Sequence, residues 1–349
     1  MVLGIESSCD ETAAAVVRGP GHVLSNVVAT QHELHAEYAG VVPEIASRAH
    51  LERIEPVIVT AVRAAGITLA DLDAVAVGHR PGLIGSLLVG VSAAKALAWS
   101  LDVPLVGVDH VHAHLYAGGL SGTLPLPEIA YPALGLVVSG GHTSLYRLTD
   151  PLAITRLGRT IDDAVGEAFD KAATLLELGY PGGPAIDRLA VRGDDTTHDF
   201  PIARLDNPLD FSFSGLKTAL LYAVRGHPVG RGPAATFPRS AADLSDAARA
   251  DCAASFQRAA VTAVIRNTRR ALESTSDTRS LLVGGGVAAN TRLRRELGAL
   301  ADERGVTLRI PEIAYCLDNG AMIAGLASQR LDRGEADELT LSAATRVVV

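Results

Sequence analysis

The chain has 349 residues, 48% hydrophobic and 20% charged, enough for two domains or one two-lobed body and outside the range of disordered chains or a single small binding module. Its 39 acidic residues outnumber 31 basic ones, for a formal net charge of −8, which excludes a wholly basic nucleic-acid binder and requires any phosphate partner to meet a local basic patch. Cys9, Cys252 and Cys316 are odd in number and far apart, a pattern of reduced thiols in a cytoplasmic protein rather than of a disulfide framework or a zinc ribbon. The most apolar stretch, Pro81 to Trp99, is broken by Lys95, glycines and serines, and the acidic start does not read as a signal peptide; no membrane or export role is expected.

Val2 to Ile5 reads as a strand, Glu6 to Thr12 as a turn rich in carboxylates and hydroxyls, and Ala13 to Val17 as the returning strand. Pro43 opens a helix over Glu44 to Ile54, and Pro56 is expected to start a second one that stops at Gly66. Ala74 to Val77 is a strand leading through Pro81-Gly82 into a helix that runs to Trp99, and Val103 to Val108 is a strand feeding a helix at His110. Near residue 134 the opening plan returns: Leu134 to Val138, the turn Ser139-Gly140-Gly141-His142-Thr143, then Leu145 and Tyr146. The two hairpins align without a gap at an offset of 131 residues, Leu3, Gly4, Ser8 and Thr12 facing Leu134, Gly135, Ser139 and Thr143, which reads as an internal duplication. Gly226 to Pro238 is the best loop candidate, Asp243 to Leu272 a long helix, and Leu281 to Asn290 a strand, glycine turn and helix start. Alternating strands and helices in both halves indicate an α/β fold with mixed sheets in two lobes and a cleft between them.

The sharpest chemical signal is His110-Val111-His112-Ala113-His114. On a helix, positions 110 and 114 share a face and 112 points away, so two imidazoles can meet one ion. The best third ligand is Asp318, in a polar turn before an apolar helix; spacing alone does not decide it. Two His and one carboxylate with open positions suit Fe(II), with zinc and manganese as alternatives. The motif lacks the Glu that zincin proteases carry after the first His. Ser139 to Thr143 offers small residues and backbone donors of the kind that cradle a phosphate without lysine, against the plainer reading of a hairpin turn. Tyr180-Pro181-Gly182-Gly183-Pro184 with Asp187, and Asp170-Lys171 upstream, would place carboxylates beside a tight turn, suited to ribose hydroxyls. No Walker A or GxGxxG pattern is present.

Seven collinear stretches carry a family resemblance over nearly the whole chain: Gly4 to Thr12, Gly40 to His50, His110 to His114, Val138 to Thr143, Asp162 to Lys171, Phe211 to Lys217 and Gly284 to Asn290. The sequence resembles the tRNA N6-adenosine threonylcarbamoyltransferase family, TsaD, formerly described as glycoproteases. The resemblance implies an actin-like ATPase fold of the sugar-kinase/Hsp70 type with duplicated lobes. It places the N-terminal lobe at 1–128, completed by a C-terminal helix at 319–345, and the C-terminal lobe with the adenylate-binding motifs at 129–318. The implied activity moves a threonylcarbamoyl group from L-threonylcarbamoyladenylate to N6 of the adenosine that follows the anticodon, in tRNAs reading codons that begin with A, and releases AMP.

By the same resemblance His110, His114 and Asp318 would hold a metal ion, commonly iron. Val138, Ser139, Gly140, Gly141, His142, Asp170, Gly183, Asp187 and Asn290 would bind the adenylate. TsaB and the ATPase TsaE are the implied partner proteins, and TsaC makes the donor. Asp10 and Glu11, on the first hairpin, are candidates for orienting the amine and accepting its proton, against the alternative of an acidic turn that repels bulk phosphate. The sequence departs from the family pattern at Gly78-His79-Arg80 and at Leu317; Arg80 adds positive charge that would touch tRNA phosphate. Arg48, Arg53, Arg80, Arg292, Arg294 and Arg295 are the candidates for a basic patch. Among rivals, a small-molecule kinase of this fold would use Mg²⁺ on carboxylates and has no need of paired imidazoles; a metalloprotease lacks its glutamate; a non-catalytic scaffold would lose the motifs retained here.

Overall fold

The computed structural model describes residues 1–38, 40–123, 126–230 and 236–346. Two five-stranded sheets organise it. The first has strands β1 (Val2–Glu6), β2 (Glu11–Arg18), β3 (His22–Thr30), β4 (Ala74–Arg80) and β5 (Leu105–Asp109) in the order β3-β2-β1-β4-β5. The second has β6 (Ala133–Val138), β7 (Thr143–Leu148), β8 (Ile154–Arg159), β9 (Ser280–Gly284) and β10 (Thr307–Arg309) in the order β10-β9-β6-β7-β8. In each sheet the opening strand pairs antiparallel with the next and parallel with the fourth. Val2 pairs with Val17 and Ala133 with Leu148, so the 131-residue offset holds residue for residue, and the fold is the duplicated two-lobed α/β architecture expected.

Ten α-helices cover these sheets among the described residues: α1 (His32–His35), α2 (Pro43–Ala64), α3 (Ile84–Leu101), α4 (His110–Tyr116), α5 (Val165–Leu175), α6 (Gly182–Ala190), α7 (Ser214–Arg225), α8 (Asp246–Ser274), α9 (Thr291–Arg304) and α10 (Gly320–Leu331). The second helix runs straight through Pro56 instead of restarting there. The carbonyl that proline leaves without an N–H partner belongs to exposed Glu52, on the solvent side, while the opposite face buries Val57, Ile58, Ala61 and Val62. Helix α10 ends at Leu331, well short of 345: the chain turns through Gly334 at φ 73° and then bridges β5 at Leu105–Asp337. The long helix α8 starts at Asp246, with Ser245 as its cap. Of the expected loop at 226–238, the described ends pair at Val229 and Thr236, and 231–235 lie outside the described residues. Helix α3 has the length and apolarity of a membrane span, but it packs on β4 and α2 and buries Leu87, Val91, Ala94 and Ala98.

The lobes exchange helices. Helix α4 follows β5 of the first sheet yet packs on β6 and β9 of the second, while α10 follows β10 of the second sheet and packs on β1 and β2 of the first; α4 and α10 touch each other. Glycines make both approaches possible. A Cβ on Gly4 would overlap the backbone of Gly320 and Ala324, and one on Gly284 would overlap the carbonyl of His114. Gly4→Ala is therefore expected to lower unfolding stability by about 1–3 kcal/mol, whereas Gly140→Ala, which meets nothing within 4 Å, should leave the denaturant midpoint unchanged.

Candidate active site

Strand β5 ends at Asp109, whose Oδ1 accepts the N–H groups of Val111 and His112 at 3.0 and 3.2 Å. This cap starts α4 at its first histidine. One turn of helix then brings the His110 and His114 rings to a centroid separation of 4.7 Å, while His112 turns away and sets its edge against Tyr146. Asp318 comes from the turn before α10. Asn319 caps that helix through the Met322 N–H and donates its amide to the Leu317 carbonyl at 2.7 Å, fixing the residue between them. Asp318 Oδ1 lies 3.6 Å from His110 Nε2 and 3.1 Å from His114 Nε2. Neither nitrogen of the buried His114 ring has a hydrogen-bond partner.

The sequence reading missed Glu6. Its side chain is fully buried; Oε2 lies 3.0 Å from His110 Nδ1, which also faces Ser8 Oγ at 3.1 Å, and Oε1 accepts the Ser8 N–H. A Cβ on Gly78, at one of the family departures, would come against this carboxylate, so a larger residue there requires the Glu6 side chain to shift. Burial opposes a charged His110 ring, but the Glu6 and Asp318 carboxylates outweigh it and push His110 up to about 10. Burial would raise the Asp318 carboxyl; the two imidazoles outweigh it and hold it well below the usual carboxylate range. A carboxylate on the last residue of an otherwise apolar strand was the available signal for Glu6.

Facing this cluster is the β6–β7 turn. The Ser139 N–H donates to the His142 carbonyl at 2.8 Å and the His142 N–H to Ser139 Oγ at 3.1 Å. Gly166, in the first turn of α5, and Gly285, at φ 97°, pack against the backbone of Ser139 and Val138 so closely that no Cβ fits at either. The turn itself, Gly140 and Gly141, opens onto free space. Burial and the neighbouring His110 and His114 pull His142 down to about 4, so a neutral imidazole borders the cluster. Asp170 Oδ1 accepts the Gly182 N–H at 2.8 Å and so holds the start of α6 and exposed-faced Gly183. Asp187 accepts Asn290 Nδ2 at 3.2 Å and the Thr291 N–H and hydroxyl at 3.1 and 2.9 Å; its oxygens are already engaged in joining α6 to α9, whose cap is Asn290.

Asp10 and Glu11 stand on the other wall, 7% and 6% exposed. Asp10 Oδ2 is buried without a partner, and Glu11 Oε1 lies 3.3 Å from His32 Nε2. Burial, reinforced by Asp318 and Asp10, pushes Glu11 well above the ordinary carboxylate range. His32 in turn sets its ring edge-on to Tyr180 of the second lobe at 5.6 Å. Of the candidates for a basic patch, Arg48 and Arg295 are exposed and the others are engaged within the chain. Arg80 Nε lies 3.5 Å from Asp109, Arg53 bonds the Thr30 carbonyl, Arg292 pairs with Asp195 and Glu296, and Arg294 bonds the Pro311 carbonyl. Arg295 stands 3.9 Å from Glu296.

The family model for tRNA N6-adenosine threonylcarbamoyltransferase, TsaD, matches residues 22–325. The chain belongs to the TsaD family. Proteins bearing that name in Symbiobacterium thermophilum and Salinibacter ruber are each 51% identical to it, over 98% of this chain and 95% and 97% of theirs. Among solved structures, HypF of T. kodakarensis superposes with a TM-score of 0.58 at 16% identity, over 95% of this chain and 48% of HypF. Component A of the Acidaminococcus fermentans (R)-2-hydroxyglutaryl-CoA dehydratase does so with 0.52 at 12%, over 95% and 98%. These two likenesses concern the fold alone. Within this TsaD chain, Asp109→Ala is expected to remove about 1 kcal/mol of stability by uncapping α4, with Asp109→Asn retaining most of it; equal midpoints for wild type and Asp109→Ala in thermal unfolding would contradict the capping role.

Proposed function

We propose that this chain transfers the threonylcarbamoyl group of L-threonylcarbamoyladenylate to N6 of the adenosine following the anticodon, with AMP as leaving group, and that His110, His114 and Asp318 hold a divalent ion, Fe(II) in preference to zinc or manganese. The observation that carries the metal assignment is the convergence of two imidazole nitrogens and a carboxylate oxygen within 4.8 Å of one another, with the His114 nitrogens lacking any other partner. Glu6 supports the same reading: by accepting Nδ1–H of His110 it fixes the ring so that Nε2 faces the shared point, where an ion would take the place of the ring's second proton. Bound there, the ion would supply Lewis-acid polarisation of the carbamoyl carbonyl.

The protein's own groups account for the remaining steps. The open Ser139–Gly141 turn receives the phosphate of the adenylate, and the start of α6 at Gly182–Gly183, held by Asp170, receives its ribose. The adenosine N6 forms the new bond to the carbamoyl carbon, the bond from that carbon to the phosphate oxygen breaks, and the electron pair leaves on AMP. The amine's proton goes to a Glu11 oxygen, whose basicity burial has raised, and His32 at 3.3 Å offers it a path towards solvent. Asp10 orients the amine. TsaB and TsaE are the proposed partners and the cytoplasm the proposed compartment, in keeping with three free cysteines.

His110→Ala and His114→Ala should lose bound iron and transfer together, while His112→Ala keeps both; equal iron in all three, measured by elemental analysis of the purified protein, would overturn the assignment. Asp10→Ala and Glu11→Ala should slow single-turnover transfer about 10²-fold or more with iron content intact. Unchanged single-turnover rates would remove them from the mechanism.

A further inference from the structure

In a chain of net charge −8, arginines such as Arg292, Arg304 and Arg330 are neutralised by a neighbouring carboxylate. Three that share one hollow are not. Arg188, in the last turn of α6, Arg192, in the turn that follows it, and Arg249, in the first turns of α8, line a common hollow of about 280 Å³ together with Leu178 and Leu189. None of the three has a carboxylate within ion-pairing distance among the described residues, although Asp246 lines the same hollow. Arg249 Nε is closed off from solvent with no hydrogen-bond partner at all. The arrangement is built: a Cβ on Gly193 would overlap the backbone of Ala250, and Asp251 accepts the Asp194 N–H at 2.7 Å, so the turn after α6 is clamped onto α8 and the guanidinium groups are brought to one rim.

We infer that Arg188, Arg192 and Arg249 form a phosphate-backbone subsite for the tRNA. Three uncompensated guanidinium groups around a polar hollow match a phosphodiester, which Arg binds through paired N–H donors; the volume accommodates one such group with bridging waters of about 30 Å³ each. Its place fits the substrate. Helix α6 begins in the cleft at Gly182–Gly183, where the donor adenylate is placed, and at 1.5 Å of rise per residue Arg188 lies about 8 Å further along it, with Arg192 in the turn beyond, within the span of a polynucleotide whose adenosine meets the donor's carbamoyl group. This rests on the transferase reading above and adds where the chain itself grips the acceptor, since the arginines singled out from the sequence are mostly occupied internally.

The test uses the full chain with its partner proteins and substrate tRNA, comparing wild type with R188Q/R192Q and with R188Q/R192Q/R249Q. The triple variant should raise the tRNA Kd and KM about tenfold or more at physiological salt, leave the donor KM and kcat at saturating tRNA unchanged, and flatten the slope of log Kd against log salt by about 1–2, each lost phosphate contact removing roughly 0.7–0.9. R188K/R192K should keep most of the slope. If wild type transfers normally and the variants bind tRNA with unchanged Kd and slope, the subsite is wrong while the transferase reading stands; a wild type that transfers nothing overturns that reading instead. Loss of inorganic-phosphate or partner-protein binding with tRNA binding intact would equally overturn the assignment to tRNA.

Discussion

A carboxylate with no solvent exposure, Glu6, fixes the geometry on which the site depends. Withdrawn from water, it is tolerated only because both oxygens are used, one by the Ser8 N–H and one by His110. That demand sets the ring orientation of His110 and ties the end of β1 to the start of α4. A neutral replacement of the same shape would keep the hydrogen bond and lose the charge; a smaller one would leave His110 free to rotate. The ligand set is thus the product of a strand end, a helix start and one buried charge acting together.

The exchange of helices between lobes explains why the two imidazoles and the aspartate come from positions about two hundred residues apart. Each lobe sends the helix after its fifth strand onto the sheet of the other, α4 in one direction and α10 in the other. The first carries His110 and His114, and Asp318 sits at the start of the second. The cluster therefore lies on the pseudo-twofold seam, with the acidic hairpin of the first lobe and the glycine-rich hairpin of the second on either side. Such a seam couples any movement of the lobes to the spacing of the three side chains.

Features with local signatures were legible in the sequence: the paired hairpins, because strand–turn–strand patterns repeat in register; the HxxxH spacing, because helical geometry is fixed; the glycine turns, because close backbone approach excludes a Cβ. Features decided by distant partners were not. Pro56 suggested a helix break, yet tertiary burial of Val57, Ile58 and Ala61 carries the helix through it. Arg292 and Arg294 read as a basic face, yet Asp195, far off in sequence, and the Pro311 carbonyl, beyond the end of α9, occupy them. Asp187, a candidate ribose ligand, also joins α6 to α9, a contact no local pattern announces. Glu6 lay in the Gly4–Thr12 stretch with no role assigned and His32 in no motif at all, and only the fold brings them to the cleft.

The central claim is that one ion is shared by His110, His114 and Asp318. X-ray absorption at the metal edge of the protein purified with stoichiometric iron measures this most directly. The account predicts a first shell of nitrogen and oxygen atoms at about 2.0–2.2 Å, with the outer-shell scattering of two imidazoles; a sulfur ligand at about 2.3 Å, from Cys9 or Cys316, or a shell without imidazole, would contradict it.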